Sequence, residues 1–116
     1  VLDGSPNSAR RLLAFLSERL RRANERLQDV ALLKVRQRLA GLLRELALRQ
    51  GESNEVGILL PREVNHPFLA QTLSTSRERV TREMSEFRSH GLVAQEGRRI
   101  RVLNAEGLRR VVEGEP

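Results

Sequence analysis

Three features of this 116-residue sequence predict a mainly α-helical fold with a small β wing. A leucine heptad opens the chain. Two helix starts then flank a Ser-Thr-Ser turn. Last come two alternating segments joined across a glycine. In that order they describe a winged helix-turn-helix preceded by a long dimerisation helix. The chain divides into an N-terminal arm and coiled-coil helix over residues 1–34 and a winged helix-turn-helix over residues 35–116.

Residues 1–6 read as an arm. Asn7 or Ser8 caps a helix start, with Pro6 just outside it, and neither Gly nor Pro recurs until Gly41. Leu13, Leu16, Leu20, Ala23, Leu27 and Val30 follow one another at spacings of 3, 4, 3, 4 and 3. That is an a/d seam, and Arg19, Arg21, Arg22, Glu25 and Arg26 flank it. So narrow a stripe calls for a partner helix, most simply its own copy, because a helix packed on its own domain shows a wider apolar face. The heptad stops at Lys34. A broader stripe of Val35, Leu39, Leu42, Leu43 and Leu46 then suits a globular core, so one helix, or two nearly continuous ones, spans about residues 8–47. Residues 49–54 form a polar stop with Gly51 as C-cap.

Residues 56–60 form a short apolar run, expected as an edge strand. Asn65 caps a short helix with Pro67 in its first turn. Thr75-Ser76-Arg77-Glu78 fits a capping box opening the next helix, whose buried stripe is Val80, Met84 and Phe87 and which ends at His90-Gly91. Residues 92–95 and 100–103 alternate like strands around the turn at residues 96–99. Residues 105–113 give a last short helix.

Composition narrows the function. Cysteine is absent, which removes disulfides, thiolate metal sites and cysteine nucleophiles. Three Phe and no Tyr or Trp leave little for base stacking on single strands. His66 and His90 stand far apart without a carboxylate pattern, and no Gly-rich phosphate loop follows a strand, so no enzyme and no metal or cofactor site is expected. No apolar run reaches the roughly 20 residues of a membrane span. The net charge of +6, carried by 20 Arg and one Lys, points to a polyanionic partner.

The second helix of the turn motif offers Ser76, Arg77, Glu78, Thr81 and Arg82 near its N-terminus, the end that enters a major groove. Arg grips guanine O6 and N7 with two bonds, and Glu accepts from cytosine N4. Glu78 and Arg82, four apart, share a face and can hold each other. Arg98 and Arg99 put two cations at the hairpin tip, suited to phosphates. Arg62 and His66 lie near the same surface, His66 in a helix's first turn.

The run Ser76-Arg77-Glu78-Arg79-Val80-Thr81-Arg82 resembles the S-R-E-x-V-x-R recognition-helix signature of the Crp–Fnr family of bacterial transcription regulators. Leu69-Ala70, Gly91-Leu92-Val93, Gly97-Arg98 and the stretch at residues 35–40 fit the same pattern, so the resemblance covers roughly residues 8–112. It implies a dimer on double-stranded, palindromic DNA in a bacterial cytoplasm, with RNA polymerase as a further candidate partner. By position, Arg77, Glu78 and Arg82 would read bases, with Thr75, Ser76, Arg79 and Arg98 as phosphate neighbours. Family members carry an N-terminal sensor domain that this chain lacks, so the chain looks like the C-terminal portion and the effector stays unknown. Lys34 stands where many members have a capping Asp. Asn65-His66-Pro67-Phe68 replaces the usual polar T-x-Q-[DE] opening, which removes a phosphate contact at Pro67. The competing reading is a coiled-coil protein-interaction module with a non-DNA-binding winged helix, which would favour apolar residues where Arg77, Glu78 and Arg82 stand.

Overall fold

The computed structural model describes the backbone of residues 6–114 and the side chains of residues 7–24 and 33–114. It falls into two compact units that meet between Leu33 and Lys34. One helix, α1 (Pro6–Gln50), contributes to both. It starts at Pro6, ahead of the expected Asn7 or Ser8 cap, so Pro6 lies inside the first turn and not outside the helix. Proline is tolerated there because first-turn N–H groups have no intrahelical acceptor.

In the first unit Leu13, Leu16 and Leu20 are 67%, 51% and 64% exposed, so this stripe is unburied within a single chain. Leu12 and Phe15 are exposed beside it and widen it beyond a strict a/d seam. The Arg19 guanidinium lies 5.7 Å from the Phe15 ring centre, and Glu18 pairs with Arg21 and Arg22 one turn on. The side chains of Leu27 and Val30 lie outside the described residues.

The second unit is built on the broader stripe. Val35, Leu39, Ala40, Leu43, Leu46 and Ala47 are buried, with Leu42 packed at the rim. The strands that follow are β1 (Glu52–Ser53), β2 (Ile58–Leu59), β3 (Val93–Glu96) and β4 (Arg99–Val102), in one antiparallel sheet ordered β1-β2-β4-β3. The sequence predicts an edge strand over residues 56–60. Instead β2 is internal, pairing Ile58 with Val102 and Leu59 with Arg101, while β1 takes the edge. The polar β1 was hidden in the stretch read as a helix stop. Gly51 stands at the helix end as expected: α1 stops at Gln50, and Gly51 N donates to Ala47 O at 3.2 Å. Its backbone is not left-handed. A Cβ there would strike Ile58 and the Ala47 carbonyl, so glycine permits a close approach of β2 to α1. At the wing, Glu96 pairs with Arg99 across a two-residue turn. Gly97 carries its positive φ of 61°, as a two-residue hairpin loop with Gly first requires.

Between β2 and β3 lie α2 (His66–Leu73) and α3 (Arg77–Ser89), and α4 (Ala105–Val112) closes the unit. Asn65 Oδ1 accepts from Phe68 N at 2.9 Å, and Asn104 Oδ1 from Gly107 N at 2.8 Å, so both short helices are capped. The α2–α3 turn is a Schellman motif. Thr75 N donates to Ala70 O at 2.9 Å and Ser74 N to Gln71 O at 3.2 Å. Ser74 sits at φ 54°, ψ 47°, the left-handed position where glycine is usual. The cap of α3 is Ser76, whose Oγ accepts from Arg79 N at 3.1 Å. The cap is therefore one residue later than the expected Thr75, and the expected capping box does not form, because N3 is Arg79. Glu78 sits too early in the helix to reach back to the cap.

Left-handed backbone costs a non-glycine residue about 1 kcal/mol, and glycine gives back about 0.5–1 kcal/mol in unfolded-state entropy. Ser74→Gly should therefore match the parent or exceed it by up to about 1 kcal/mol in urea unfolding. Ser74→Val should lose about 1–2 kcal/mol. The reverse order would contradict the turn geometry.

Candidate nucleic-acid interface

The face that α3 shows to solvent is decided by the face it buries. Val80, Met84 and Phe87 are at most 2% exposed and enter the core with Leu69 and Leu73 of α2. With that side fixed, Arg77, Glu78, Thr81 and Arg82 are exposed together along the opposite flank. The expected Glu78–Arg82 pairing does not form. Among the described residues neither side chain makes an ion pair, and Arg77 makes none either. Two guanidinium groups and a carboxylate are thus presented unpaired, which suits donors and acceptors meant for base edges.

The phosphate candidates divide. Arg98 stands exposed at the wing tip. Ser76 spends its oxygen on the helix cap but keeps a hydroxyl proton to donate, and Thr75 and Arg79 beside it are partly exposed. Arg99 is half-buried, with Nε and Nη2 both donating to the Leu60 carbonyl at 3.1 and 3.0 Å, so it joins the wing to the end of β2. Between the wing and the start of α2 lies an open groove of about 680 Å³ lined by Arg62, Asn65, Glu96, Arg98 and Arg99. Its one acidic wall is engaged elsewhere. Glu96 pairs with the buried Arg101, which holds the carboxyl below the usual carboxylate range, and Arg101 also donates to Asn54 Oδ1 at 3.1 Å.

His66 bridges α2 and α3, with Nδ1 at 2.9 Å from Thr81 Oγ1. Burial, then the nearby Arg88 and Arg77, push its pKa down, so the ring is neutral near pH 7. It is a weaker phosphate partner than its place in the helix's first turn suggests.

Reasoning from sequence missed Glu83. It is 5% exposed on α3, and Arg36 of α1 donates to it through Nε at 2.5 Å and through Nη2 at 3.4 Å. The signal was present: Val80, Met84 and Phe87 occupy i, i+4 and i+7 of a buried face, and Glu83 fills the vacant i+3.

Residues 37–111 match the family model described as the Crp-like helix-turn-helix domain. The chain belongs to this family. It is 30% identical over 105 residues, 90% of its own length, to the CRP-like cAMP-activated global transcriptional regulator of Mycobacterium tuberculosis. Among solved structures it is similar to the catabolite activator protein of Thermus thermophilus (31% identity, TM-score 0.72, 93% of this chain and 47% of that one). DNR from Pseudomonas aeruginosa is similar as well (27% identity, TM-score 0.73, 90% of this chain and 45% of that one). The chain spans about half the length of the curated relatives it matches. In this Crp-like domain, α2 and α3 are the helix-turn-helix and β3–β4 the wing.

The lowered pKa of His66 sets a direction for stability. Below its ordinary value near 6.5 the unfolded chain takes up the proton more readily than the folded one. This contribution is complete above pH 6.5 and declines as pH falls towards the folded-state pKa. Thermal unfolding between pH 7.5 and 5.5 should show a steeper acid-side fall for the parent than for His66→Gln. Parallel curves would contradict the assignment.

Proposed function

We propose that this chain is the sequence-specific DNA-binding portion of a bacterial, cytoplasmic transcription regulator of the Crp type, acting as a homodimer on palindromic double-stranded DNA. The observation that carries the reading is the solvent face of α3. Arg77, Glu78 and Arg82 stand exposed and unpaired there, on a helix whose other side is locked into the core. In the proposal these three read base edges while Thr75, Ser76, Arg79 and Arg98 meet phosphates. Arg99 contributes mainly by holding the wing in place. The exposed leucines of α1 supply the pairing surface, Leu13, Leu16, Leu20 and Ala23 continuing in sequence to Leu27 and Val30. Two-fold pairing of reading heads matches a two-fold operator.

Binding-site selection from a random duplex library tests the proposal in one experiment. The parent should select paired, inverted half-sites with a G/C-containing core. Arg82→Ala should relax preference at one base pair per half-site, a loss of about 1–3 kcal/mol of discrimination. Glu78→Ala should free a cytosine preference with affinity similar or higher. Arg98→Ala should weaken all sequences about equally and lower the salt slope by about one. Leu20→Lys places a charge on the seam and should reduce the selected site to a single half-site. Uniform affinity losses across all variants, with no change in selected sequence, would overturn the base-reading assignment. Absence of duplex binding by the parent at low salt would favour the protein-interaction reading.

A further inference from the structure

The Arg36–Glu83 pair joins a partly exposed arginine, its side chain 39% exposed, to a buried carboxylate. Glu83 is a carboxylate with a 6% exposed side chain on a helix face otherwise made of Val80, Met84 and Phe87. Buried ion pairs are typically no more stabilising than apolar side chains of the same volume, because desolvation offsets the attraction. What an arginine–carboxylate fork adds is direction. The apolar stripe of Val80, Met84 and Phe87 selects which face α3 buries, but non-directional contacts define its rotation less finely than a directional fork does. A turn of 20° carries side chains on a helix 10–12 Å across through about 2 Å, enough to miss a base edge. Sites that recognise geometry need their groups held within roughly 0.5 Å and 10–20°. The anchor is well placed for this. Arg36 sits in the part of α1 that carries the core stripe, between Val35 and Leu39, and it reaches α3 across 47 residues of sequence.

We propose that Arg36 is a positioning residue for sequence reading: its fork on Glu83 fixes the rotation of α3 and so aims Arg77, Glu78 and Arg82. The inference rests on α3 being the reading helix. It assigns specificity to a residue outside both the helix-turn-helix and the wing.

The test uses the full chain. Arg36→Met alone strands a buried carboxylate and should lower Tm by on the order of 10–20 °C, which any structural role would also do. The deciding variant is Arg36→Met with Glu83→Leu. It removes one charge of each sign, leaving the net +6 and the phosphate electrostatics unchanged. Its Tm should equal or exceed the parent's. Its discrimination between the parent's selected duplex and a scrambled duplex should fall about tenfold or more, with affinity for the scrambled duplex unchanged. The swap Arg36→Glu with Glu83→Arg should restore discrimination to within about threefold. In amide NMR spectra of the DNA-free protein, the apolar double variant should shift or broaden signals of residues 77–89 while those of α4 stay in place. Full discrimination in the apolar double variant, or α3 signals superimposable on the parent's, would overturn the proposal. If the parent itself selects no sequence, the DNA-reading proposal fails, and the NMR comparison still decides whether the pair sets the rotation of α3.

Discussion

Everything the candidate interface offers depends on burying one side of α3. Val80, Met84 and Phe87 enter a core that also takes Leu39 and Leu43 of α1 and Leu69 and Leu73 of α2. A helix buries only the side it is given, so this stripe decides which residues are left facing solvent. The Ser74–Ser76 turn makes the burial possible. It closes α2 with a Schellman motif and opens α3 on the Ser76 cap within three residues, allowing two short helices to cross tightly. Rotate α3 by one residue and Arg77, Glu78 and Arg82 no longer share an outer face.

The charge of the chain looks different once its arginines are placed. Arg36, Arg99, Arg101 and Arg109 are engaged within the fold, on Glu83, the Leu60 carbonyl, Glu96 with Asn54, and Glu106 with Glu113. Arg77, Arg82 and Arg98 are exposed, and among the described residues they make no ion pair. A net charge of +6 therefore overstates nothing about a polyanionic partner but says little about where it docks. The distinction between arginines that build the domain and arginines that face outward carries that information.

Periodicity made most of the fold legible. The core stripe of α1, the capped α2, the stripe of α3 and the β3–β4 hairpin all follow from spacing and cap residues that act locally. What stayed hidden was set by distant partners. β1 is two polar residues whose only strand signal is β2 beside it. Gly51 is legible as a cap, but its close approach to Ile58 depends on a strand placed seven residues on. Arg99 beside Arg98 reads as a second tip cation, and its bonds to the Leu60 carbonyl depend on a residue 39 positions away. Glu83 was legible as a position on the buried face, but its partner, 47 residues away, was not. Among the site residues, exposure of Arg77, Glu78 and Arg82 followed directly from the stripe behind them.

Mapping backbone amide shifts while the selected duplex is titrated into the full chain tests most directly whether the outer face of α3 is the reading surface. The largest changes should fall in residues 76–82, with smaller ones around Arg62–His66 and Gly97–Arg98. Exposed apolar residues elsewhere, Leu48, Val56 and Leu103, should be silent. Changes centred on those apolar residues, with residues 76–82 unmoved, would contradict it.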